Sequence, residues 1–475
     1  MTRSRRWQDA VALAMASLLG ACTALPPRAP ADPAHSAQAF AARRLDGSLK
    51  DLPPAQSGWD REAWFRAALA LNPQLAEARA AAMAVAAGER TAAERPNPNL
   101  NLFGEYVVAA ASSAAWLYGL SLEFLLPRAG ERGRAMASAA LQTQAAEADV
   151  EEAIWLVRSE VRQALLDANY AHDEAALLAT LVTDREALLA SNRALAQAGE
   201  IAQSETLTQD LEFARARQRL VRAQALAADA EARLAAAVGV PVAALDGIPL
   251  RWEHWADIGA LTATGSDEWR SAALIGRPKL VHALREYDMT DIALQSEVAK
   301  RWPQFHVTPG YAWDKSGLRQ DTLDDTLHDT LHDNELGVSF ELPIFNRHEG
   351  PIGEALARRK LAGEHLQAVQ AQLFEEIERA ERAWPQAQQA WRDADGADAL
   401  ARQQHAAQER AFGAGASDRS TLLAARLEAT EAELMTLEAA YNAQLAFAAL
   451  ESAYRRPLQG GEIPLSASLS GKVSS

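Results

Sequence analysis

Pro303-Gln-Phe-His-Val-Thr-Pro-Gly-Tyr-Ala-Trp-Asp314 decides the fold, because here a helix-forming chain switches to strict alternation. Phe305, Val307, Pro309, Tyr311 and Trp313 fall on one side of an extended segment, and His306, Thr308, Gly310, Ala312 and Asp314 on the other. A second segment follows, in which Leu336, Val338, Phe340 and Leu342 alternate with Gly337, Ser339 and Glu341. One set is apolar and rich in aromatics; the other is small, polar or acidic. That suits a transmembrane β-strand between lipid and water. A half-buried soluble hairpin alternates in the same way.

The same pattern occurs earlier in the chain. Leu100, Leu102, Tyr106 and Val108 alternate with Asn101, Phe103, Glu105 and Val107, and Trp116, Tyr118, Leu120, Leu122 and Phe124 alternate with Leu117, Gly119, Ser121 and Glu123. Pro98 to Tyr106 aligns with Pro303 to Tyr311, and Asn72-Pro-Gln-Leu75 aligns with Arg277-Pro-Lys-Leu280 at the same offset of 205. Gly119-Leu-Ser-Leu-Glu123 aligns with Gly337-Val-Ser-Phe-Glu341 at an offset of 218, so the second hairpin holds extra residues, visible as tetrads from Asp321 to His332. The chain reads as an internal two-fold repeat.

The 475 residues carry 6% aromatics and a mean hydropathy of −0.20, the signature of long amphipathic helices. No apolar run reaches the ~18 residues that a spanning helix needs. A net charge of −16 argues against nucleic acid as a partner, since binding it requires basic side chains against phosphates. Arg3, Arg5 and Arg6, an apolar stretch from Val11 to Leu19, and Leu19-Gly-Ala-Cys22 read as a signal peptide over 1–21 that ends in a lipobox, with the Cys22 thiol as lipid anchor. The other reading is ordinary secretion with cleavage nearby. Cys22 is the sole cysteine, which rules out a disulfide within the chain.

Residues 22–58 are proline-rich and read as an extended, lipidated leader. Repeat one spans 59–238, with helices over 59–94, 131–198 and 204–238 and strands over 100–109 and 116–126. A waist linker covers 239–266. Repeat two spans 267–457, with helices over 267–300, 352–412 and 420–454 and strands over 305–314 and 336–345, followed by a flexible tail over 458–475. Pro385 is expected to kink the long helix of this repeat. Leucines on sevens (Leu181, Leu188 and Leu195; Leu427 and Leu434) make each long helix and its return helix an antiparallel coiled coil closed at Gly199 or Gly415. The first and return helices of each repeat together match the long one in length, so they are expected to stack end to end beside it. Four strands cannot close a barrel, and open edges are not tolerated in lipid. Three copies give twelve strands and a water-filled lumen continued by a helical barrel.

The duplication, Arg95-Pro-Asn-Pro98 leading into a strand, Gly119-Leu-Ser-Leu-Glu123 with its echo, and the turns Gly199-Glu-Ile-Ala-Gln-Ser-Glu-Thr-Leu207 and Gly415-Ala-Ser-Asp-Arg-Ser-Thr-Leu-Leu423 resemble the TolC family of outer-membrane efflux proteins. Trp116 and Gly130-Glu-Arg-Gly133 resemble its heavy-metal branch. The resemblance implies an outer-membrane duct fed by an inner-membrane pump of the resistance-nodulation-division type through a periplasmic adaptor, a membrane fusion protein; with the strand count and the Cys22 lipobox, the duct is expected to be a homotrimer and lipid-anchored. The resemblance also implies adaptor docking at Gly199, Ala202, Ser204, Gly415, Ala416 and Ser420. The family's two gate aspartates, six and nine residues after the second turn glycine, fall here on Thr421 and Ala424, which leaves Glu205, Asp418 and Arg419 as candidates for closing the inner end.

Glu105, Glu123, His306, Asp314 and Glu341 are expected to face the lumen, where carboxylates favour cations and are also tolerated on any wet wall. His328 and His332 stand four apart among aspartates, a metal-binding spacing if helical, and equally a solvated low-complexity loop. No phosphate loop, nucleophile elbow or triad is present, so neither an enzyme nor a cofactor is expected. The alternatives to an efflux duct are a type I protein-secretion duct and a structural periplasmic coiled-coil lipoprotein.

Overall fold

The computed structural model describes residues 32–45, 58–107, 115–249, 252, 254–261, 267–314, 331–342 and 344–458. The chain forms two compact units, Met1–Arg44 and Leu45–Ser475. The described part of the first unit holds α1 (Pro33–Ala41), capped by Asp32, which accepts from the Ala34 N–H at 2.9 Å. The expectation of an extended leader over 22–58 is corrected there. Pro33 starts a helix instead of breaking one, because its fixed φ and missing N–H suit the first helical position.

The second unit runs α2 (Arg61–Leu71), α3 (Pro73–Ala93), β1 (Asn99–Val107), β2 (Ala115–Leu126), α4 (Glu131–Gln197), α5 (Gln203–Val238), α6 (Asp267–Gly276), α7 (Pro278–Ala299), β3 (Phe305–Asp314), β4 (Leu331–Phe340), α8 (Glu349–Gly413) and α9 (Arg419–Tyr454). At 67 residues, α4 is about 100 Å long. α8 carries Pro385 in its interior and continues to Gly413.

Each helix expected before a hairpin is two helices. Asn72 sits at φ −65°, ψ 123° and Arg277 at φ −65°, ψ 131°, both outside the helical region. The cause is local, since a proline ring crowds the residue before it out of the α conformation. Asn72 uses its side chain to hold the break, accepting from the Leu75 N–H at 3.1 Å and donating to the Ala237 carbonyl at 2.8 Å. Gly239, at φ 88°, ends α5 against this junction, where an added Cβ would lie 2.5 Å from the Leu71 carbonyl. Arg277 is held by the Ala453 carbonyl at 2.9 Å and Glu376 at 2.5 Å.

Three apolar clusters tie these elements together. Trp59, Trp64, Leu75, Leu165 and Val238 pack where α2, α4 and α5 meet, and Ile258, Ile377, Trp384, Phe447 and Tyr454 form the corresponding cluster of the second half. Between them the linker places Trp255, which donates from Nε1 to Asp173 at 2.9 Å and accepts at its carbonyl from Gln444 at 2.5 Å. Leu181, Leu188, Leu423, Leu427 and Leu434 share the third cluster, so the two coiled-coil hairpins pack on each other as well as internally.

The strands form one antiparallel sheet in the order β1-β2-β3-β4. Its fourth strand corrects the sequence reading: it spans Leu331–Phe340, where 336–345 was expected. Pairing of Ala312 with Asp333 and Trp313 with His332 extends the ladder into residues assigned to the tetrad loop, because a partner strand satisfies backbone groups whatever the local composition.

Candidate functional site: the sheet faces and the helical tips

Register fixes what each face of the sheet presents. Asn101 pairs with Ser121, Phe103 with Gly119, Gly119 with Ala312, His306 with Ser339 and Thr308 with Gly337, so these positions share one face. Glu105 and Glu123 belong to that face, as do the register positions of Asp314, Asp333 and Glu335, and Glu341 continues its parity just past β4. Alternation in the sequence begins at Leu336, so Asp333 and Glu335 are positions of this face that it does not reach. The opposite face carries Leu100, Leu102, Tyr106, Tyr118, Leu122, Phe124, Leu126, Phe305, Leu336, Val338 and Phe340, each an exposed large apolar side chain. Such a continuous apolar surface needs a non-aqueous neighbour.

His306 and Glu123 meet on the polar face, with Nδ1 2.7 Å from a carboxylate oxygen. Glu105 and Glu341 are exposed, and the side chain of Asp314 lies outside the described residues. Phe103 is a functional candidate that alternation alone did not reveal. Its ring lies over Gly119, where an added Cβ would fall 2.2 Å from it. An aromatic ring covering a cross-strand glycine replaces the packing that the missing side chain cannot supply.

At the other end of the helices, Gly199 (φ 80°) and Gly415 (φ 70°) reverse the chain. In each turn the next N–H bonds back to a helix carbonyl, Glu200 to Leu195 at 3.0 Å and Ala416 to Ala411 at 2.8 Å, the pattern of a Schellman cap. Space around both glycines is open. Ala202, Ser204, Glu205, Ala416 and Arg419 are exposed. Ser420 is half-buried and turned toward α4, 3.2 Å from the Ser191 hydroxyl, so it joins the two hairpins to each other. Asp418 caps α9 by accepting from the Thr421 N–H at 2.7 Å, a bond that lowers its carboxyl below the usual range.

A second tie between the hairpins is buried. Asp184 on α4 lies 2.9 Å from Arg426 on α9. Burial raises its carboxyl above the ordinary value, an effect that the charges of Arg426 and His405 oppose. Deeper in the molecule, Glu451 is wholly buried beside Arg158 and Arg162.

Cys22 and His328 lie outside the described residues. His332 sits in β4, so its backbone is extended and the helical spacing behind a His328–His332 metal pair is absent at that end. Among the described residues no group of three or more His, Cys, Asp or Glu side chains is placed to hold a metal, and no helix is long and apolar enough to cross a membrane.

The profile of the outer membrane efflux protein family matches residues 64–240 and again 269–454. Among solved structures, a membrane protein from Pseudomonas aeruginosa superposes with a TM-score of 0.67 at 20% identity, covering 91% of this chain and 99% of its own. The open state of the Neisseria gonorrhoeae MtrE outer membrane channel gives 0.65 at 17% identity, with 92% and 99% covered. The Campylobacter jejuni CmeC outer membrane channel gives 0.67 at 15% identity, with 94% and 96% covered. No curated protein sequence matches. Members of the matched family are non-enzymatic outer-membrane channels of efflux systems. With most of its length matched, and a mostly helical body bearing one small two-faced sheet, the chain belongs to the outer membrane efflux protein family.

Proposed function

We propose that three copies of this chain close a twelve-stranded barrel in the outer membrane, continued inward by a helical tube, and form the exit duct of a tripartite efflux system. The observation that carries this reading is the sheet: four strands with a lipid-compatible face, a wet face, and open edges on β1 and β4. Unpaired edges in lipid leave backbone groups without partners, so neighbouring copies must supply them. The two separate family matches support an internal duplication, which gives the tube its pseudo-repeated hairpins.

A periplasmic adaptor docks at the exposed tips around Gly199, Ala202, Ser204, Gly415 and Ala416, and a resistance-nodulation-division pump delivers the cargo. Metal cations are the favoured cargo because the polar face of the sheet holds carboxylates and neither Lys nor Arg. Cys22 anchors the mature chain to lipid. The inner end closes through Glu205, Asp418 and Arg419.

Purified protein run unheated on a denaturing gel, and then added to a planar bilayer, tests the core of the proposal. A trimer band with stepwise conductance is expected; a monomer that adds no conductance overturns it. Labelled palmitate entering the wild-type chain but not Cys22→Ser tests the anchor.

A further inference from the structure

On the helical side of the sheet, every strand end carries an arginine. Arg95 stands four residues before β1, Arg128 two after β2, Arg301 four before β3 and Arg347 seven after β4. None of their guanidinium groups has a carboxylate partner among the described residues. Arg128 is fixed in place, donating from Nε to the Trp302 carbonyl at 2.9 Å, and Arg132 beside it donates from Nε to the Ala93 carbonyl at 2.9 Å. Of the nearby acids, Glu131 accepts the Arg128 backbone N–H at 2.8 Å and Glu297 pairs with Lys300 at 2.6 Å. Glu341 lies on the wet face, which leaves Glu94 and Glu349 against Arg95, Arg128, Arg132, Arg134, Arg301 and Arg347.

The segments of sequence that join β1 to β2 and β3 to β4 are different in composition. Residues 108–114 contain no charge, and 315–330 hold Asp321, Asp324, Asp325 and Asp329 against Lys315 and Arg319. The strand region is thus basic at one end and carries the Asp314, Asp333 and Glu335 register positions toward the other, within a chain of net charge −16. Between the basic end and the apolar face stand Trp302, 74% exposed, Ile344, and the fully exposed Phe345. Side chains of this kind sit at the boundary between hydrocarbon and headgroups, and arginines just beyond them meet lipid phosphates.

We propose that this collar binds the phosphates of anionic glycerophospholipids in the leaflet on the helical side, holding the sheet at a fixed depth. The inference rests on the membrane-spanning reading above. A lipopolysaccharide source does not fit, because the opposite ends of β3 and β4, where that lipid would lie, hold Asp314 and Asp333.

The test uses the full-length assembly in nanodiscs of phosphatidylcholine with or without phosphatidylglycerol, read by lipid retention in native mass spectrometry. Wild type is expected to retain phosphatidylglycerol several-fold over phosphatidylcholine. The triple variant Arg95→Gln, Arg301→Gln, Arg347→Gln is expected to lose that preference while conductance stays unchanged, and the matching triple Lys variant to keep much of it. Insertion without any preference in wild type, or an undiminished preference in the Gln variant, overturns the collar alone. Failure of wild type to enter either lipid overturns the membrane reading and the collar with it. A Gln variant that does not assemble leaves the decision to wild type and the Lys variant, where absence of preference overturns the proposal.

Discussion

Glu451 has no exposed surface, lies 3.4 Å from Arg158 with Arg162 also in contact, and accepts the Leu458 N–H at 2.8 Å. A buried carboxylate shared by two guanidiniums is a poor source of net stability, but removing it takes the shared counter-charge from both cations. Glu451→Gln is therefore expected to lower unfolding free energy by about 3–5 kcal/mol in a denaturant melt followed by helical circular dichroism. An unchanged midpoint would show that water reaches the site. Asp184 behaves differently, because burial lifts its carboxyl above the ordinary range. Between the ordinary aspartate value and the raised one, the folded state binds more protons than the unfolded, so this site adds stability as pH falls through that window. Asp184→Asn should raise the melting temperature modestly near neutral pH and flatten its dependence on pH in that window; a lower melting temperature would show that the Arg426 pair outweighs the burial cost. Neither site was legible in the sequence, because the partners lie far apart in the chain and no local pattern marks them.

Elements were more legible than their breaks. Strict alternation identified β3 and the lipid-compatible faces, and glycines placed both tips, since each signal is local. Asn72-Pro73 and Arg277-Pro278 form a repeated motif inside helices expected to be continuous, although a proline disfavours helical geometry at the residue before it. The start of β4 is hidden for another reason: Leu331 and His332 close the tetrad run, Asp333 to Glu335 are polar, and only pairing with β3 makes them strand. Within the sheet, Phe103 and Gly119 make a testable unit. Gly119→Ala drives a Cβ into the ring and should abolish the heat-modifiable trimer band, whereas Phe103→Ala combined with Gly119→Ala should restore it. If the double variant is as defective as the single one, the glycine serves something other than the ring. At the tips, Ala202 and Ala416 are exposed close to the turn glycines, so Trp at either position should leave both glycine turns in place. Export is expected to stop while trimer abundance holds; normal efflux with intact adaptor crosslinking would remove the tip-docking proposal.

At the scale of the whole molecule, one linker joins two halves that share the third coiled-coil cluster and meet around Trp255 and Glu451. Their packing keeps β2 and β3 side by side as neighbours in one sheet. In the proposed trimer the outer edges of that sheet, on β1 and β4, find their partners in other copies. A subunit that folds its helices but cannot offer a sound β1 or β4 edge still enters assemblies, and each one it enters has a gap in its wall. If subunits mix at random in threes, equal expression of such an allele with the wild type leaves about one assembly in eight intact. An edge-strand defect is therefore expected to be dominant, cutting efflux in a merodiploid strain to a small fraction of normal, while a null allele in the same strain is recessive. Full efflux in both strains would mean that copies of one chain are sorted together before the wall closes.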